Sequence, residues 1–73
     1  MMNIHERILL FQIAELGEPN FAEISIATHH PTDYLNHALA NLTLRGFLEH
    51  KGNRYTVPRY VLDELIPKEE RCN

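Results

Sequence analysis

The sequence predicts a mostly helical chain that carries one small β-hairpin. Apolar residues recur at helical spacing in IHERILLFQIAEL, FAEISIAT and TDYLNHALANL. Gly17, Pro19, Pro31 and Gly46 separate or end those runs as breakers. The stretch RYTV alternates aromatic and β-branched residues and follows a glycine-containing turn, the signature of a returning hairpin strand.

The first helix spans 4–16 and stops at Gly17, with Pro19 just beyond. Around its axis Leu9, Leu10, Ile13, Ala14 and Leu16 fall in one broad sector. Ile4, Ile8 and Phe11 form a second stripe nearly opposite, which the same neighbouring layer cannot cover. The second helix spans 20–28, with Asn20 as N-cap, Glu23 three residues on at capping-box spacing, and Ile24 and Ala27 facing inward. His29, His30 and Pro31 break it. The third helix spans 32–45, capped by Thr32 or opened by Pro31 as its first residue. Leu35, Leu39 and Leu42 repeat there at i, i+4, i+7 as a narrow buried stripe, and Gly46 ends it. The hairpin spans 47–57 and turns through Lys51-Gly52-Asn53, until Pro58 stops the second strand. A last short helix over 59–66 gathers Val61, Leu62, Leu65 and Ile66 on one face, and a charged tail occupies 67–73.

A chain of 73 residues has room for one hydrophobic core, so 1–73 reads as a single domain. A domain this small buries only about 60% of the surface its unfolded chain exposes, and commonly gains support from disulfides, a metal or a partner subunit. Cys72 is the only cysteine, which excludes an internal disulfide. No apolar run reaches the roughly 20 residues that cross a bilayer, and the N-terminus lacks a signal-peptide pattern. A cytoplasmic protein is expected.

Net charge is −3, whereas dedicated nucleic-acid binders are usually basic because phosphate contacts supply much of their affinity. The charge is uneven. Residues 1–44 set Arg7 against Glu6, Glu15, Glu18, Glu23 and Asp33, a balance of −4. Residues 45–59 set Arg45, Lys51, Arg54 and Arg59 against Glu49, a balance of +3. From residue 60 onward the balance is −2. One basic island therefore lies in an acidic chain, around the hairpin.

The segment EISIATHHPTDYLNHALANLTLRGFLEH, residues 23–50, resembles the core of winged helix-turn-helix proteins of the bacterial and phage regulator kind. Ile24 and Ala27 supply the small apolar pair of the second helix, Leu35, Leu39 and Leu42 the apolar ladder, and Arg45-Gly46-Phe47-Leu48 the step into the wing. ILLFQIAELG upstream resembles the first helix of that family, and RYTV downstream its returning wing strand. The likeness extends over about residues 6–60. His29 stands where the turn usually holds glycine, and His30 where an apolar residue follows. The resemblance implies a three-helix core with a hairpin wing and a short C-terminal helix, in which the third helix is the recognition helix.

Two functions follow as expectations. The first is a transcriptional regulator, of repressor type, that binds duplex DNA as a homodimer. The third helix would enter the major groove with Asn36 and His37 as base readers, supported by Thr32, Tyr34 and Asn41. Since that helix offers no lysine or arginine before Arg45, Arg45, Lys51 and Arg54 would supply the phosphate contacts. Ile4, Ile8 and Phe11, with Val61, Leu62 and Leu65, would meet the same face of a second copy across a two-fold axis. The second is an acidic winged-helix adaptor, of the kind a phage directs at a host factor, that binds a protein partner through Tyr34 and its helical face without touching DNA.

Other chemistries find no support in the residues. His30 and His37 are seven apart with His29 adjacent, but no cysteine or acid spacing completes a metal site. No phosphate loop or nucleophile–base pair is present, so neither an enzyme nor a cofactor is expected.

Overall fold

The computed structural model describes residues 3–65. Ile66 and the tail at 67–73 therefore lie outside the described residues. The chain is mostly helical, with four helices and one two-stranded antiparallel hairpin among the described residues.

Two asparagine caps start the first two helices. In α1 (Ile4–Leu16) Asn3 Oδ1 accepts the Glu6 N–H at 2.8 Å, and Glu6 Oε1 accepts the Asn3 N–H at 3.1 Å. In α2 (Phe21–Thr28) Asn20 Oδ1 accepts the Glu23 N–H at 2.8 Å, and Glu23 Oε1 accepts the Asn20 N–H at 2.9 Å. Each box satisfies two backbone donors that a helix start otherwise leaves unpaired. Gly17, at φ 89°, ends α1.

The α2 C-cap is His29, with φ 61° and ψ 20°. Among the described residues it is the only non-glycine with positive φ. A left-handed cap lets its N–H donate to the Ser25 carbonyl at 2.9 Å and turns the chain sharply toward the next helix. For a residue with a Cβ that conformation costs roughly 1–2 kcal/mol. The turn from α2 to α3 (Thr32–Leu44) occupies only His29, His30 and Pro31. Pro31 sits at the N-cap rather than inside the helix, Thr32 is the first helical residue, and no side chain caps α3. Neither start device expected from the sequence is the one used. Proline still fits, because a residue with fixed φ suits the extended N-cap backbone.

The hairpin pairs β1 (Glu49–Lys51) with β2 (Arg54–Thr56). The turn is two residues, Gly52-Asn53, not three, and Lys51 belongs to the strand. Gly52 has φ 60° at the first central position, where a type II′ turn places glycine. The α1–α2 loop lies along the far edge of β2: the Tyr55 N–H donates to the Pro19 carbonyl at 2.9 Å, and Asn20 forms a bridge with Arg54. After buried Pro58 comes α4 (Arg59–Leu65), which packs on α1. There the Arg7 guanidinium donates to the Glu64 carbonyl at 3.1 Å. The Tyr60 hydroxyl donates to the Gly46 carbonyl and ties α4 to the end of α3.

All four helices send residues inward, as do the segments flanking the strands. The core comprises Leu9, Leu10 and Ile13 from α1, Ile24 from α2, and Leu35, Leu39 and Leu42 from α3. Leu48, Val57 and Val61 close it from the hairpin side and α4. The α3 ladder falls where its spacing places it. On α2 the inward partner of Ile24 is Phe21, three residues earlier, while Ala27 is exposed. The larger ring buries more area than a methyl group and sets the rotation of this short helix. Leu16, which its spacing places in the inward sector, is exposed at the last turn of α1.

The His29 cap gives a direct expectation for stability. His29→Gly should raise unfolding free energy by about 0.5–1 kcal/mol, since relief of the left-handed strain outweighs the added freedom of the unfolded chain. His29→Val should lower it by more than about 1 kcal/mol. Urea denaturation of the three proteins checks both signs.

Candidate functional site

The third helix exposes Thr32, Asp33, Tyr34, Asn36, His37, Ala40, Asn41 and Leu44. The buried leucine ladder sets this outward face, with Ala38 and Thr43 half-buried on its flanks. Asn36 and Asn41 lie on opposite flanks of the exposed face. Asn36 borders a groove toward the hairpin, and Asn41 a groove toward the start of α1.

The hairpin-side groove, about 450 Å³, is lined by Asn36, Leu39, Ala40, Thr43 and Leu44 of α3 and by His50 and Tyr55. Register explains which hairpin residues reach it. Glu49 pairs with Thr56, His50 with Tyr55, and Lys51 with Arg54. Side chains alternate between the two faces of a ribbon, so His50 and Tyr55 share the groove face while Glu49, Lys51, Arg54 and Thr56 share the other. The His50 and Tyr55 rings stack at 4.1 Å between centroids with planes 8° apart. Burial pushes the Tyr55 phenol pKa up. The groove is therefore walled by rings, methyl groups and amides.

The second groove, about 610 Å³, runs between the start of α1 and α3, and is bordered by His5, His30, Tyr34, His37 and Asn41. The His30 and Tyr34 rings meet at 4.7 Å in a tilted arrangement. Among the described residues no three His, Cys, Asp or Glu side chains are grouped as a metal ion would need.

Two of the four cations of the basic island, Arg45 and Arg54, are held by acids and a carbonyl of the N-terminal half. Arg45 Nη1 donates to Glu6 Oε2 at 2.7 Å, and its guanidinium lies 5.0 Å over the Phe47 ring. Arg54 Nη1 donates to the Glu18 carbonyl at 2.7 Å and lies 3.5 Å from Glu23 Oε1, an ion pair more than a formed hydrogen bond. Lys51 and Arg59 are exposed and make no side-chain hydrogen bond or ion pair among the described residues. Burial raises the Glu6 pKa, but the Arg45 hydrogen bond and charge and the Asn3 backbone N–H outweigh it, so the carboxyl sits below its ordinary 4.5.

The residues expected at a dimer face divide. Val61 lies in the core at 1% exposure, so it cannot meet a second copy in the folded chain. Leu62 and Leu65 are partly buried against the same core. Ile4, Ile8 and Phe11 remain exposed as a stripe on α1, at 62%, 51% and 45%. Sequence reasoning misses the Asn3 cap, although N-x-x-E at 3–6 repeats the signal at 20–23, and it misses the groove role of His50. No protein family, curated protein or solved structure matches the chain.

The Glu6 environment sets a pH dependence. A carboxyl whose folded pKa is lowered contributes stability above its unfolded pKa and loses it as pH falls through the folded value. Stability should therefore drop below about pH 4.5, and Glu6→Gln should flatten part of that acid limb. At neutral pH the same substitution should cost about 1 kcal/mol, through the lost ion pair and the weakened cap. Thermal melts of both proteins across pH 3–7 measure it.

Proposed function

We propose that the chain is a winged helix-turn-helix module that contacts a protein partner through α3 and the groove between α3 and the hairpin. The order of helices, the three-residue turn at His29–Pro31 and the hairpin after α3 support the winged helix. The observation that carries the partner class is the side on which charge lies. The hairpin face that shares a groove with Asn36 holds His50 and Tyr55, whereas Lys51 and Arg54 belong to the opposite face. Arg45 and Arg54, which a DNA reader would turn toward phosphate, are bound to Glu6, Glu18 and Glu23. The surface that remains on α3 and its groove combines exposed Tyr34 and Leu44 and half-buried Tyr55 with neutral amides, the composition of a protein contact rather than a phosphate track. Leu44, at 87% exposure, is the apolar anchor of that surface.

A second reading, a duplex-DNA regulator, draws on two observations. Thr32, Asn36, His37 and Asn41 are all exposed on α3, and Lys51 and Arg59, nearby in sequence, are cations without an ion pair among the described residues. Asparagine reads adenine bidentately in the major groove, and two cations per chain would give a weak phosphate anchor.

Fluorescence anisotropy on a labelled random duplex at about 50 mM salt separates the two. The protein-contact reading expects no saturable binding at concentrations up to about 10 μM, a level at which non-specific DNA-binding domains already bind at such low salt. Binding that weakens with added salt, and weakens again in Lys51→Ala with Arg59→Ala, would replace it with the DNA reading.

A further inference from the structure

One edge of the hairpin is unpaired. The far side of β2 is lined by the α1–α2 loop, but among the described residues β1 has β2 as its only neighbour. The Tyr55 N–H points away from β1 to the Pro19 carbonyl. His50 and Tyr55 are therefore the non-hydrogen-bonded pair of the ladder, and the His50 N–H and C=O point outward from β1. Such an edge is a template for another strand.

The side chains on this edge are not explained by their own hairpin. Lys51 stands directly across from Arg54, a like-charge neighbour that weakens a cross-strand pair. Glu49 stands across from Thr56, which offers it no charge. Turned antiparallel against itself about an axis at His50, however, the segment Glu49-His50-Lys51 is self-complementary. His50 faces His50 of the second copy, and their outward N–H and C=O groups exchange two backbone hydrogen bonds. Glu49 then faces Lys51 of the second copy, and Lys51 faces its Glu49. Both are non-hydrogen-bonded pairs, in which side chains approach most closely. A parallel arrangement would instead set glutamate against glutamate and lysine against lysine.

We propose that two copies of this chain associate edge to edge through β1, forming one four-stranded antiparallel sheet in the order β2-β1-β1-β2 across a two-fold axis. The contact is isologous and closes, so it stops at a dimer. A three-residue edge is far below a standard interface, so the dimer is weak, with Kd on the order of 100 μM. The same edge is free to pair whether α3 meets protein or DNA.

Sedimentation equilibrium of the full chain, at loadings up to about 1 mM, tests it by charge exchange. Lys51→Glu and Glu49→Lys should each weaken dimerisation about tenfold or more, because each places two like-charge pairs across the axis. The double variant Glu49→Lys/Lys51→Glu restores opposite charges and should recover the wild-type Kd to within about threefold. Lys51→Glu also gives Arg54 an opposite charge across the hairpin, so its monomer should melt no lower than wild type. A wild type that stays monomeric overturns the proposal. So does a dimer indifferent to single reversals, or one that the double exchange fails to restore. A dimer lost with Ile8→Asp but kept with Lys51→Glu would place the contact on α1 and overturn it as well.

Discussion

Two glutamates each hold two groups, and the placement of the hairpin depends on them. Glu6 completes the α1 capping box with one carboxylate oxygen and binds Arg45 with the other. Glu23 completes the α2 box and attracts Arg54, whose firmer bond is to the Glu18 carbonyl beside it. Each helix start is thus tied to an arginine from the far half of the chain, one at the entry to the hairpin and one on its returning strand. The helix N-terminus favours the carboxylate and the carboxylate favours the arginine, so cap and clasp reinforce each other.

This arrangement occupies two of the four cations of the basic island. Counted along the chain, four cations around the hairpin look like a phosphate-binding wing. In space two of them work inside the fold, and register turns Lys51 and Arg54 away from the groove that contains Asn36. What faces outward beside α3 is a stacked His50–Tyr55 pair and an exposed leucine. Under the proposed protein contact, such a surface would gain by excluding water from apolar atoms and satisfying a few amides.

Local patterns are legible in the sequence and distant pairings are not. Leu35, Leu39 and Leu42 define the buried line of α3 because helix geometry leaves one way to bury three leucines at that spacing. Asn20 and Glu23 announce their box because both partners lie within one turn. Asn3 and Glu6 carry the same signal, masked because the apolar run, not the cap, marks the start of α1. The apolar pattern places Ala27 inward, but Phe21 fills that side with more surface. The turn length depends on which residue takes φ 60°, and glycine at 52 leaves two registers open on paper. The partners of Arg45 and Arg54 lie 39 and 31 residues away, and nothing in a local window selects Glu6 or Glu23 over the other acids. The site is therefore legible in its residue types on α3 but not in the direction its charges face.

A double-mutant cycle on Arg45 and Glu6 tests most directly whether these arginines serve the fold. Unfolding free energies of wild type, Arg45→Gln, Glu6→Gln and the double variant should give a coupling of about 0.5–1 kcal/mol, the range of a well-placed, partly exposed ion pair. A coupling indistinguishable from zero would contradict the clasp. The hairpin entry would then be placed by packing and not by this ion pair.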